Sequence, residues 1–73
     1  MIVVSSPLKR DFMVELVDGY TIDDFEFRHV KTEGMKLYFE CTNPDTEKAV
    51  RHVKNLIKGS EMGRALYFTV TAE

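Results

Sequence analysis

The sequence predicts an α+β fold: an antiparallel sheet of four or five strands, a β-meander, with one helix packed on one face, in the order β-β-β-β-α-β. Three observations predict it. Asp18-Gly19 stands between two apolar runs, the dipeptide that favours a tight hairpin because both its residues tolerate positive φ. Met35, Leu37, Phe39 and Cys41 alternate with Lys36, Tyr38, Glu40 and Thr42, the period of a strand with one buried face. Residues 44–58 place apolar side chains at helical spacing between recognisable start and stop signals.

Taken in chain order, Ile2 to Val4 is a β-branched run closed by Ser5, Ser6 and Pro7, which reads as a short first strand ended by a turn. Phe12 to Val17 reads as a second extended segment rich in β-formers, although residues 2–17 also fit one long bent strand. Tyr20 to Val30 is the third strand. Within it Tyr20 and Ile22 fall on one parity and Phe25 and Phe27 on the other, so a β-bulge at Asp23-Asp24 would return all four to one face. Lys31-Thr32-Glu33-Gly34 suits a type I turn with glycine last, leading into the fourth strand, Met35 to Thr42.

For the helix, Asn43 is a good N-cap and Pro44 suits the first helical position, whose N–H has no helical partner. Asp45 and Glu47 near the start and Lys54 and Lys58 near the end complement the helix dipole, and Gly59 offers a left-handed stop. At 100° per residue Ala49, Val50, Val53, Leu56 and Ile57 gather into one stripe, the pattern of a helix lying on a core. A loop from Ser60 to Gly63 leads to a last strand, Ala65 to Ala72, containing Leu66, Tyr67, Phe68 and Val70.

The chain has 73 residues, which suits one small domain, 1–73, near the size at which a single core supplies only about 3 to 5 kcal/mol. Cys41 is the only cysteine, so neither an intramolecular disulfide nor a cysteine-built zinc site is available. A lone cysteine fits a reducing compartment, and the expected location is cytoplasmic. The N-terminal run lacks the basic region of a signal peptide and the length of a membrane span. Hydrophobic residues at 44% and charged residues at 30% argue for a folded domain rather than disorder. A net charge of −2 lacks the basic balance typical of a general nucleic-acid binder.

Candidate chemistry is sparse. Cys41 lies just before the helix start, where a thiolate is favoured, but its parity matches Met35, Leu37 and Phe39 and marks it as a small core residue. His29 and His52 lack accompanying ligands at metal-site spacing. Asp18, Asp23 and Asp24 are accounted for by turns and by a bulge or solvent-facing edge. The Gly59 to Gly63 loop follows a helix and precedes a strand, the wrong order for a phosphate cradle. Arg64-Ala65-Leu66-Tyr67-Phe68 only loosely resembles the aromatic strand of an RNA-recognition sheet. No catalytic residue, cofactor or metal is therefore expected.

A helix of about fifteen residues is roughly 22 Å long and 10 Å wide, too narrow to cover both faces of a sheet of five strands spaced about 4.8 Å apart. Tyr38 and Tyr67, with Tyr20 or Met13, are the candidates for the uncovered face and for a partner interface. Against that, Lys36, Glu40, Glu26 and Arg28 can make the same face polar enough to stay wet. The expected function is a small intracellular, non-enzymatic protein-interaction module, homodimeric through the open sheet face or an edge strand. The alternative is nucleic-acid binding through Lys48, Arg51, Lys54 and Lys58 on the helix. Residues 44–58 carry four positive and two negative side chains, net +2, which leaves −4 for the rest of a chain whose total is −2. Glu47, one turn before Arg51, takes up part of this ridge, so the basic residues read better as the solvated side of a packed helix.

Overall fold

Ile2–Ser5 (β1) runs through the interior of the sheet, with a neighbour on each side: Lys36–Cys41 (β4) and Thr69–Ala72 (β5), both antiparallel to it. A β-branched strand buried on both faces suits that position, and Ile2, Val3 and Val4 are all buried. The remaining elements of this computed structural model are helix α1 (Arg10–Val17), strand β2 (Thr21–Ile22), strand β3 (Phe25–Glu33) and helix α2 (Thr46–Gly59). The structure describes residues 1–7, 9–60, 65 and 67–73. Residues 61–64 and 66, expected in the loop and at the start of the last strand, lie outside the described residues. The strand order is β2-β3-β4-β1-β5 and every pairing is antiparallel. The α+β class and the five-stranded sheet thus stand, with two helices instead of one.

The added helix replaces the strand expected over Phe12 to Val17. Met13 and Val17, one helical turn apart, are buried, and Phe12, Val14 and Leu16 pack beside them. Positions 12, 13, 16 and 17 share one side of a helix, whereas a half-buried strand would have alternated. The Asp18-Gly19 pair ends this helix. Asp18 is its extended C-cap and Gly19 adopts φ +80°, the left-handed conformation in which glycine commonly stops helices.

The expected strand Tyr20 to Val30 is divided. Asp23-Asp24 is a two-residue turn joining β2 to β3, with Asp23 at φ +52°, so the parity switch in the sequence marks a change of strand and not a bulge. The bulge lies further on, at Val30, where the β3–β4 register shifts between His29 and Lys31. The next hairpin also turns later than expected: Glu33 pairs with Lys36, and Gly34, at φ +58°, opens the two-residue loop Gly34-Met35. Glycine at the first central position is the signature of a type II′ turn, not of the type I turn read from Lys31 to Gly34.

Helix α2 begins two residues after the expected Asn43-Pro44 start. Asp45 is the N-cap, its Oδ1 accepting from the Lys48 N–H at 3.2 Å, while Asn43 Oδ1 accepts from the Asp45 N–H at 2.9 Å. Gly59 remains helical without a positive φ, and Ser60 caps the end by donating Oγ–H to the Ile57 carbonyl at 2.6 Å. Ala49, Val53 and Ile57 are buried, with Val50 and Leu56 half-buried against the core, as the stripe predicts.

One core results. Ile2, Val4, Phe25, Phe27, Leu37, Phe39 and Val70 from the sheet meet Met13, Val17, Ala49, Val53 and Ile57 from the helices. Because alternate strand residues point to opposite faces, both helices cover the same face. The other face has neither helix on it.

Candidate functional site

The uncovered face is built by residues alternating with the core set: Val3 and Ser5 on β1, Arg28 on β3, Lys36, Tyr38 and Glu40 on β4, Thr69 and Thr71 on β5. Past the bulge, Lys31 and Glu33 join it. Opposite charges face each other across strands, Arg28 against Glu40 and Glu33 against Lys36. Further pairs form along β3, Arg28 to Glu26 at 3.4 Å and Lys31 to Glu33 at 2.9 Å. The Glu33 carboxylate, first through its hydrogen bond and then through its charge, holds the Lys31 ammonium above the usual lysine pKa.

Tyr38 does lie on this face, but only 9% of it is exposed; Lys31 Nζ sits 4.8 Å over its ring, and its β1 neighbour Val3 is buried as well. The face is therefore a charge-balanced surface around a small covered apolar centre. The four residues expected to form a common contact surface are dispersed. Met13 is in the core under α1 and Tyr20 stacks on Phe27 at 6.1 Å on the helix side, which removes both from the uncovered face. Tyr67, 77% exposed, lies just before β5 and borders a shallow depression with Ser5, Ser6, Pro7, Met35 and Thr69.

The other candidate residues have local partners. Asp18 Oδ1 accepts the His29 N–H at 3.0 Å, and His29 Nε2 lies 2.9 Å from Thr32 Oγ1 with its ring against Phe39. His52 meets the Phe25 ring edge-on at 4.9 Å, with Nε2 3.6 Å from Asp23 Oδ2. Cys41 is half-buried against the core. Among the described residues no group of three His, Cys, Asp or Glu side chains comes together as metal ligands would, and no helix is long and apolar enough to cross a membrane. Lys48, Arg51, Lys54 and Lys58 are all exposed on α2, and at 100° per residue they fall on one side of the helix, within an arc of about 120°.

The sequence offers an edge strand as a contact surface, and in the structure the outer edge of β5 ends the sheet. Met1 and Glu73 exchange both backbone hydrogen bonds, at 2.7 and 2.8 Å, which sets the phase of the β1–β5 ladder. Bonded pairs alternate in an antiparallel ladder, so Thr69, Thr71 and Glu73 turn their N–H and C=O groups toward β1. Val70 and Ala72 turn theirs outward, and among the described residues no backbone partner meets them. Beside this edge runs a groove between β5 and α2, lined by Thr71, Ala72, Thr46, Glu47, Val50 and Arg51. Comparison with protein-family models, characterised proteins and solved structures returns no match.

Proposed function

We propose that this chain is a small non-enzymatic protein-interaction module that works by self-association through its sheet. The observation that carries the reading is the asymmetry of the sheet. Both helices lie on one face, and the last strand ends the sheet with outward backbone donors and acceptors and no charged side chain from Thr69 to Ala72. A small core with a single cysteine, and so no disulfide within the chain, gains stability from association, because a partner that binds only the folded chain shifts the folding equilibrium. Among the described residues, the charge-balanced face around Tyr38 and the β5 edge are open to contact, and the internal ion pairs of the former suit it to water.

The test is the mass of the full chain by analytical ultracentrifugation from micromolar to millimolar concentration. The expected result is a concentration-dependent rise from 8.4 kDa toward twice that value. An 8.4 kDa particle throughout the range overturns self-association.

A further inference from the structure

We infer that the partner seated on β5 is β5 of a second copy, paired antiparallel about a twofold axis so that the two five-stranded sheets become one sheet of ten. The inference rests on the self-association proposed above and specifies its surface, register and flanking contacts.

The register follows from the phase of the ladder. A twofold axis perpendicular to the sheet keeps the helix-bearing faces of both copies on the same side, so paired residues must share parity. Only Val70 and Ala72 of β5 point their backbone groups outward. Centring the axis on Thr71 makes Val70 of one copy exchange both hydrogen bonds with Ala72 of the other, and the mirror pair does the same. Thr71 then faces its own copy as a close, non-hydrogen-bonded pair on the uncovered face, where two threonine hydroxyls can bond each other.

The flanking helices favour the same partner. Helix α2 packs over β1 and β5. With α2 seated between those strands and strands about 4.8 Å apart, the symmetry-related helix lies about 10 Å away, a distance at which helices pack directly. The two copies of α2 run antiparallel and overlap over their N-terminal halves. Glu47 and Arg51 both line the groove at the level of Thr71 and Ala72. The twofold brings Glu47 of one copy against Arg51 of the other, twice. A surface carrying its own complement in this way fits a second copy of itself.

Edge chemistry supports the choice of β5. Natural sheets blunt exposed edges with charge, proline or bulges, and Thr69-Val70-Thr71-Ala72 has no charge, no proline and an unbroken register to β1.

The experiment compares the masses of the full chain, Ala72→Pro, Tyr38→Glu, Glu47→Arg, Arg51→Glu and the Glu47→Arg/Arg51→Glu pair by sedimentation equilibrium. Proline at position 72 removes an outward N–H and leaves the Thr71 and Glu73 bonds to β1 in place. The expected result is a dimeric parent chain, a monomeric Ala72→Pro with unchanged circular dichroism, and a Tyr38→Glu that still dimerises. Each single charge reversal is expected to weaken the dimer at least tenfold by placing like charges together, and the double reversal to restore it; this charge test stands independently should Ala72→Pro fail to fold. Association lost in Tyr38→Glu but retained in a folded Ala72→Pro overturns the edge pairing while leaving self-association intact. A double reversal no tighter than the single ones overturns the proposed helix contact and with it the twofold. A parent chain that never exceeds monomer mass overturns both this inference and the function it rests on.

Discussion

At the β3 edge of the sheet the outward backbone groups are met in succession: Tyr20 C=O takes the Phe27 N–H at 3.0 Å, Gly19 N–H donates to the Phe27 carbonyl at 2.7 Å, and Asp18 Oδ1 takes the His29 N–H at 3.0 Å. Two-residue β2, the bulge at Val30 and the charges of Lys31 and Glu33 complete that border. At the β5 edge, Val70 and Ala72 present the same kinds of groups with no backbone partner among the described residues and no charge on the strand. One border is closed by the chain's own turn while the other keeps the features of a pairing surface. Edge protection is a local property, set by a few side chains, and not a property of the sheet as a whole.

The closed β3 edge depends most on Phe27. This ring is fully buried and stacked between Tyr20 and Phe25, and its backbone anchors the turn that closes the β3 edge. Phe27→Ala is expected to cost about 3 to 5 kcal/mol in urea denaturation, because the cavity adds to the lost burial. A loss below about 1 kcal/mol would mean that the closed edge does not depend on the core beneath it.

A smaller effect isolates the closure itself. Asp18→Ala removes the acceptor of the His29 N–H and leaves the core untouched, so it should destabilise by about 1 kcal/mol and speed exchange of the His29 amide. An unchanged His29 exchange rate would show that the carboxylate is not what closes that border.

The smallest effect belongs to Lys31. Its pKa is raised by Glu33, so whatever stability the pair adds is present below the ordinary lysine range while the Glu33 carboxylate is ionised, and fades as the pH rises through the higher folded-state value of Lys31. The ammonium is fully exposed, so Lys31→Gln should leave the urea midpoint at neutral pH unchanged, consistent with a charge that deters pairing and does not hold the fold. A clear drop in that midpoint would reassign Lys31 to a structural role.

Much of the fold was legible in the sequence, unevenly so. Strong local signals survived: the β-branched run of β1 and the Ala49-Val53-Ile57 stripe of α2 emerged buried, and so did Leu37 and Phe39 of the β4 alternation, whereas Met35 is exposed in the turn and Tyr38 is buried on the other face. The segment Phe12 to Val17 misled because five of its six residues are apolar and several favour strands, so composition outweighed the i, i+4 spacing of Met13 and Val17. Asp-Gly misled in the same place, since positive φ at glycine serves a helix stop as readily as a hairpin. Among the contact residues, Tyr38 fell on the expected face, whereas Met13 could not be placed without knowing that it sits on a helix. An edge strand was among the expected contact surfaces, but local signals do not fix which strands end the sheet. Which strand ends a sheet depends on strand order, and the insertion of β1 between β4 and β5 is a long-range pairing that local periodicity does not encode.

The central claim, that β5 pairs with β5 of a second copy, meets its most direct test in amide hydrogen exchange along residues 69–73 at high and low protein concentration. The N–H groups of Thr71 and Glu73 point toward β1 and should be protected at both concentrations. The account predicts that Val70 and Ala72 gain protection only at concentrations where the dimer forms. Equal, rapid exchange of Val70 and Ala72 in samples shown to be dimeric would contradict it.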